Sequence, residues 1–379
     1  MRIGLERLLR SCMSRPRRVV ILTNHTGADR ALRPNYELLS LSPAFRPVGI
    51  LVPEHGLYGQ AQAGDAVSHC HGPGGLPVTS LYGSQLKPWP ALLEGVDAVI
   101  YDIQDIGSRY YTYTQTMLQA MRGAAASGVT FMVLDRPNPI TGTRVEGGVV
   151  EPDFESLVGP LGIPIRHGLT PGELALLFNT ELRVNCRLEV VTMEGWSRGM
   201  WFDQTGLPWV PPSPNCPTLD TALVYPGTCL LEGTNISEGR GTTTPFQLVG
   251  APWMDGVAWC RELTARNLPG VRFRPAQFIP RFSKYRDQLC SGIFLHVIDR
   301  EQFCPVTTGL ELLCSAMSLF PAFSLLPPDG NGRCFFDLLA GSGVVGFALQ
   351  QGRQTRHIIA EWQHGLDRFM KTRSRYLLY

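Results

Sequence analysis

Residues 47–59 read PVGILVPEHGLYG. The first six form a short, apolar run that reads as a buried strand. Pro53 ends it, because proline has no backbone N–H to give to a ladder. Glu54 and His55 are then delivered into a loop bounded by Gly56 and Gly59. An acid and an imidazole are costly to hold at the end of a buried strand unless they are partnered or used. The pattern repeats along the first half. RVVILT at 18–23 ends in Asn24 and His25, and the weaker LPVTSL at 76–81 ends at Tyr82. DAVIYDI at 97–103 ends in Gln104, Asp105, Arg109, Tyr110 and Tyr111; the run 129–134 ends in Asp135, Arg136 and Asn138. Helical patterns at 35–41 and 112–127 lie between these runs. Such alternation predicts an α/β fold with a parallel sheet, and ligands bind outside the carboxyl ends of the strands of such sheets. Those ends here carry His25, Glu54, His55, Asp102, Asp105, Arg109, Asp135, Arg136 and Asn138. No glycine fingerprint follows the first strand, so a dinucleotide is not the expected ligand.

Further along, Thr170 and Glu173 form a capping box for a helix over 171–179, which is a sufficient structural reason for Glu173. His167, just before it, has no such explanation. A strand is expected at 187–193. From Trp196 the composition shifts to aromatics, prolines and glycines, through Ser213 and Asn215 to Glu232, Asn235, Ser237, Glu238 and Arg240. This stretch reads as long loops, which in a compact chain are usually functional. Regular structure resumes with helices at 255–266, 307–320 and 353–373 and strands at 271–273 and 293–298. The stripe Ile358, Ile359, Trp362, Leu366 and Phe369 on the last helix reads as core. We therefore expect a first domain over 1–195 and a second over 196–379.

The chain has 379 residues, 44% hydrophobic and 17% charged, with a formal net charge of +2. That balance gives no reason to invoke nucleic acid or an anionic membrane as partner. No run approaches the roughly 18 apolar residues of a membrane span. Arginines interrupt the N-terminal segment, so no signal peptide is evident and a cytoplasmic chain is expected. The ten cysteines are dispersed and read as buried thiols. His69-Cys70-His71 is dense in ligand types but lacks zinc spacing and reads as a loop. Neither a metal nor a cofactor is expected. A serine-hydrolase elbow and a Walker loop are both missing.

Carboxylates facing each other across a cleft suit glycoside hydrolysis, in which one protonates the leaving oxygen and the other handles water or attacks. Glu54, after a buried strand and before Leu57 and Tyr58, fits an acid raised by burial. Asp102, Asp105, Asp135, Glu232 and Glu238 are further candidates, each of which could equally serve loop amides. Arg109, Arg136 and Arg240 could hold a carboxylate bidentately or form ion pairs. Tyr101, Tyr110, Tyr111 and Tyr113 suit the apolar face of a sugar or the core.

The strings PEHGLYG, LPVTSLYG, YDIQDIGSRYYTYTQTM, LDRPNPITG, PIRHGLTPGELALLFN, PSPNCPTL and EGTNISEGRGTTTPF resemble the bacterial exo-β-N-acetylmuramidase family (NamZ-like), formerly catalogued as a domain of unknown function. The resemblance runs over nearly the whole chain. It implies a Rossmann-like N-terminal domain, a smaller α+β domain after it, and an active-site cleft between them. It also implies release of N-acetylmuramic acid from the non-reducing end of peptidoglycan fragments. The family's catalytic glutamate falls on Glu54, and His55 shares its motif. Cys216 and Ala340 depart from the residues expected at their positions, methionine and a bulkier side chain. From the chemistry we expect Glu54 as general acid tuned by His55, and Glu238 or Asp102 as the second carboxylate. Arg109 or Arg240 would bind the lactyl carboxylate, with Asn24, His25, Gln104, Asp105, Tyr110, Tyr111, Asp135, Arg136, Asn138, His167, Ser213, Asn215, Glu232, Asn235 and Ser237 around the substrate. A non-catalytic muropeptide- or sugar-binding protein and a histidine- or metal-dependent hydrolase are the alternatives.

Overall fold

A computed structural model describes residues 1–11, 15–65, 70–82 and 88–379. The first half is built on a seven-stranded sheet. Its strands are β1 (Arg17–Thr23), β2 (Phe45–Val52), β3 (Cys70–His71), β4 (Pro77–Ser80), β5 (Ala98–Asp102), β6 (Thr130–Leu134) and, after a two-stranded pair β7 (Glu146–Val149) and β8 (Pro164–Arg166), β9 (Arg187–Val191). The spatial order is β3-β4-β2-β1-β5-β6-β9. All neighbours are parallel except β3, which runs antiparallel to β4. Counting the six parallel strands alone, the order is third, second, first, fourth, fifth, sixth, which is the Rossmann order. Cys70 and His71 pair as this short edge strand, where a loop is expected from sequence; His69 lies outside the described residues.

Alternation along the strands sorts the core onto two faces. Val19, Ile21, Ile50, Val52, Ala98, Ile100, Met132 and Leu134 face one cluster, covered by Ile3, Leu5 and Leu8 around helix α1 (Gly4–Leu8) and by Tyr36, Leu38 and Leu39 of α2 (Asn35–Leu41). Val20, Leu22, Leu51, Val99, Tyr101, Phe131 and Val133 face the other. There α3 (Trp89–Leu92), α4 (Tyr113–Ala126) and α5 (Pro171–Glu181) pack, and the cluster continues without a break into the second half. The capping box of Thr170 and Glu173 opens α5 as the sequence predicts.

The second half contains a three-stranded antiparallel sheet of β10 (Leu248–Ala251), β11 (Val271–Phe278) and β12 (Cys290–Val297), with β12 central. Around it lie α6 (Leu219–Thr228), α7 (Gly256–Ala265), α8 (Pro305–Leu319), α9 (Phe335–Ala340), α10 (Val344–Gln350) and α11 (Thr355–Arg373). Helix α6 lies inside the stretch expected to be loops. It carries Pro226 and is buried all round from Thr221 to Thr228, so it has neither the composition nor the stripe that reveals a surface helix. Ile358, Trp362 and Phe369 of α11 are buried core, as expected. The chain then returns to the first sheet, where the Tyr379 hydroxyl donates to Asp135 at 2.7 Å.

Helices α6 and α8 cross at backbone contact. A Cβ at Gly227 would lie 1.9 Å from the Pro305 carbonyl oxygen, and one at Gly309 would lie 2.4 Å from the Gly227 carbonyl oxygen. Gly227→Ala must therefore push the helices apart and is expected to cost about 1–3 kcal/mol. A thermal melt reads this directly; a midpoint equal to wild type would mean the crossing has slack.

Candidate active-site cleft

The sheet side of the site begins where β2 stops. Glu54 is buried, 6% exposed, and both its oxygens are engaged. Oε2 accepts from the Thr112 hydroxyl at 2.7 Å and Oε1 from the Gly64 N–H at 3.1 Å. Thr112 stands at the N-cap of α4 but makes no capping bond with its side chain. The hydroxyl that would ordinarily cap a helix is given to Glu54 instead. His55 follows with φ of 73°, a left-handed conformation rarely adopted by a residue with a Cβ. That turn aims the imidazole so that Nδ1 lies 2.8 Å from the Ala61 carbonyl oxygen. A carbonyl only accepts, so Nδ1 carries the proton and Nε2 of the neutral ring presents a lone pair. Burial holds the His55 pKa below its ordinary value of 6.5, more strongly than the neighbouring Glu54 raises it. His25 braces this loop. Its Nε2 donates to Pro211 O at 2.6 Å, and its ring packs against Gly59, where a Cβ would come within 2.2 Å.

Glu54 and His55 line a cavity of about 300 Å³ with Gly64, Tyr82, Tyr110, Tyr111, Thr112 and the 156–158 loop on the sheet side. Ser213, Asn215, Tyr225, Glu232, Arg240, Phe246, Leu338 and Leu339 complete it from the second half. Its aromatic floor is welded edge to face: Tyr111 on Tyr113 at 4.8 Å, Tyr225 on Phe246 at 4.7 Å and Tyr111 on Tyr225 at 5.9 Å between centroids. Asn215 is held by donating to Gln62 Oε1 at 2.9 Å.

Opposite Glu54, Arg240 Nη1 pairs with Glu232 at 2.7 Å and lies 3.7 Å from Glu238. Its guanidinium stands 5.2 Å from the Phe246 centroid. The two carboxylates hold the Arg240 pKa above its usual value against the opposing effect of burial. Lys284 organises this wall. Its Nζ donates to the carbonyls of Leu231, Glu232 and Ile236 at 2.8, 3.1 and 3.0 Å and to Glu238 Oε2 at 3.1 Å. Tyr285 adds a bond to Asn235 O at 2.6 Å. Lys284 gives no motif signal in the sequence. Its partners lie about fifty residues away in the chain.

Several expected site residues lie elsewhere. Asp102 is fully buried and pairs with Arg136 Nε at 2.6 Å, while Asn35 donates to its other oxygen at 2.8 Å. It is a structural anion, not a second catalytic carboxylate. Glu238 is buried behind Arg240 and held by Lys284, so Glu232 is the carboxylate that reaches the wall. Arg109 is correspondingly not a reader of substrate. It is fully buried, its guanidinium donates to the carbonyls of Gly148, Ile163 and Leu339, and burial pushes its pKa down to about 10. Asp135 accepts from Thr170, Gly172 and Tyr379, and burial pushes it up to about 7. Asn138 donates to Leu169 O, Gln104 to Pro137 O, and the Gly107 N–H donates to Asp105. His167 Nδ1 accepts from Leu169 N, with Nε2 3.4 Å from Asp105. Asn24 donates to the Tyr113 hydroxyl, Asn235 to Ala322 O, and Ser237 accepts from Gly239 N. All of these shape loops and are outside the cleft lining. Thr112, Tyr225, Phe246 and the 156–158 loop line the cleft without having been singled out as site residues. Among the described residues, no cluster of His, Cys, Asp and Glu has the arrangement of a metal site.

The family model for the N-terminal part of exo-β-N-acetylmuramidase NamZ matches residues 19–220, and that for its C-terminal part matches residues 223–379. The peptidoglycan β-N-acetylmuramidase NamZ of Bacillus subtilis (strain 168) is 45% identical over 364 residues, covering 96% of this chain and 87% of that protein. Two crystal structures of DUF1343 family proteins from Bacteroides fragilis NCTC 9343 superpose on it. One has a TM-score of 0.90 at 35% identity and the other 0.78 at 32%; each comparison covers 100% of this chain and 98% of the other.

Removing one partner of the Asp102–Arg136 pair leaves a buried charge uncompensated. Arg136→Met is expected to destabilise the fold by about 3–5 kcal/mol, and adding Asp102→Asn should restore part of that loss. Urea unfolding of the single and double variants checks this; equal midpoints would show that the pair contributes nothing.

Proposed function

The chain belongs to the exo-β-N-acetylmuramidase NamZ family, and from that membership and the cleft we propose that it hydrolyses the β-linked terminal N-acetylmuramyl residue at the non-reducing end of peptidoglycan fragments. One observation carries the reading. The cleft brings a carboxyl and an imidazole from the sheet, Glu54 and His55, against a carboxylate and a guanidinium from the second half, Glu232 and Arg240. At about 300 Å³ the cavity is at the lower end of ligand sites, the scale of one sugar ring rather than a chain. That size suits removal of single terminal sugars.

In this mechanism Glu54 gives its proton to the leaving oxygen. Thr112 and Gly64 fix the carboxyl in place, so no rotamer search precedes transfer. His55 presents the lone pair of Nε2 to water or to a sugar hydroxyl. Glu232 is the second carboxylate and faces positive charge developing at the anomeric carbon. Arg240, not Arg109, takes the lactyl carboxylate that separates muramic acid from N-acetylglucosamine. Tyr110, Tyr111, Tyr225 and Phe246 offer the apolar wall a sugar ring packs on. A reducing, cytoplasmic setting belongs to the same reading, since the cysteines from Cys186 to Cys334 are all free thiols. Among the described residues no helix is long and apolar enough to cross a membrane.

The test is release of 4-nitrophenol from its β-N-acetylmuramide and from its β-N-acetylglucosaminide. Wild type is expected to turn over the muramide alone; on a muramyl disaccharide, whose sugar leaving group needs the proton that 4-nitrophenolate does not, Glu54→Gln is expected to lower kcat by about 10²–10⁴-fold while still binding muramic acid. Full turnover of the disaccharide by Glu54→Gln would remove Glu54 from the chemistry. Muramic acid bound without turnover in the wild type would make the chain a binding protein.

The lowered pKa of His55 predicts a pH profile. Neutral imidazole persists to more acid solution than that of an ordinary histidine, so the acid limb of kcat/KM that belongs to His55 is expected below pH 6.5. His55→Gln should abolish that limb. A limb at or above 6.5 that survives the substitution would assign it to another group.

A further inference from the structure

The cleft has a closed end and an open one, and burial sorts its lining between them. Tyr110, Tyr111, Tyr225 and Phe246 are buried. Gly64 and Leu157, on the same lining, are exposed, and Val158 and Phe335 are half-buried. Glu54 stands between the two sets. Its Oε2 is held by Thr112, which follows the buried Tyr111, and its Oε1 by the N–H of the exposed Gly64. A hydrolase that removes terminal sugars seats the terminal ring at the closed end. The acid that protonates the leaving oxygen then marks where the second ring begins. A cavity of about 300 Å³ is filled by the first ring, so the second lies over the mouth.

The mouth carries an apolar side chain that the fold does not use. Leu157 is 41% exposed and is, among the described residues, the only exposed large apolar side chain of the lining. Single exposed leucines are ordinary on a protein surface, but this one is held in place. Ser156 and Gly159 exchange two backbone hydrogen bonds of 3.1 Å, which closes a tight turn with Leu157 and Val158 at its tip. Arg122 pairs with the Glu155 carboxylate at 3.4 Å, and Arg333, from the second half, donates to Glu155 O at 3.2 Å. Val158 and Phe335 pack against the core, whereas Leu157 belongs to neither core cluster. A turn braced from both halves of the chain thus presents an apolar side chain at the entrance of the cleft. The C–H face of a sugar ring is the kind of surface that would cover it.

We propose that Leu157, at the tip of this turn, and Phe335, at the start of α9, form the platform for the leaving sugar, the ring on the far side of the scissile bond. The inference rests on the muramidase reading of the site and adds a second binding position to it. Contact with the platform holds the leaving ring so that its glycosidic oxygen stays beside Glu54. The platform carries no charge, so it selects for a ring with an apolar face and leaves recognition of the lactyl group to the closed end.

Titration calorimetry in a Glu54→Gln background compares N-acetylmuramic acid with the muramyl disaccharide without turnover. We expect the disaccharide to bind more tightly than the monosaccharide. Adding Leu157→Ser should weaken disaccharide binding about four- to fifteenfold, the worth of one or two buried methylene groups. It should leave the affinity for N-acetylmuramic acid in place, and Leu157→Met should restore most of the loss. Because Leu157 is exposed and outside the core, these substitutions do not threaten the fold. Disaccharide affinity unchanged by Leu157→Ser, with hydrolysis of the disaccharide by the wild type intact, overturns this inference and leaves the function standing. Equal weakening of both sugars would place Leu157 at the terminal ring and overturn the assignment. Failure of the wild type to bind or hydrolyse either sugar overturns the inference together with the function it rests on.

Discussion

The buried pair between Asp102 and Arg136 decides where this molecule can put a ligand. In a sheet of Rossmann order the natural crevice lies where the strand order reverses, between the first strand and the fourth. Asp102 ends one of the two strands at that point, and Arg136 reaches across to it while also donating to Ala28 O. Asn35 and Thr23 fill the remaining space with hydrogen bonds, and Pro211 and Pro212 lie over the His25 and Tyr113 side chains. The crevice that holds a dinucleotide in related architectures is thus occupied by the protein's own charges and backbone. The open site is displaced along the sheet, toward the ends of β2 and β4 and the loop after β5. A fold usually associated with nucleotides is freed for a different ligand by filling its usual pocket.

The displaced cleft is completed only by the second half of the chain. Arg109 joins the halves from the sheet side, its guanidinium gripping carbonyls before β8 and at the end of α9. Lys284 does the equivalent work opposite, gathering three carbonyls and a carboxylate of the 231–238 segment. Both cations act on backbone oxygens, so they hold loops without regular structure in place of a ladder. This accounts for a long irregular region being ordered enough to carry Glu232 and Arg240.

Much of this was legible in the sequence, for reasons that are local. Short apolar runs located all six parallel strands and the loops at their ends, and the Thr170–Glu173 box marked α5. The failures share a different cause. Arg109 looks like a cation presented to a ligand until three carbonyls, up to 230 positions away, are seen to trap it. Glu238 and Glu232 exchange their expected places because Lys284, 46 residues on, claims the former. Helix α6 is hidden by Pro226 and by burial on every side. Thr112 reads as the start of a helix, and its bond to Glu54 depends on β2 and β5, the strands on either side of β1, ending at the same edge of the sheet. Sequence patterns report which groups stand at strand ends; only the packing reports which of them are already spent on one another.

The left-handed backbone at His55 has a consequence for anyone altering this protein. A side chain with a Cβ held there carries strain of about 1–3 kcal/mol that glycine would escape. Optimising the chain for thermal robustness would therefore favour replacing the residue whose imidazole faces the cleft. At this position durability and turnover are opposing selections, and natural retention of histidine would have to be maintained against the pull of the fold itself.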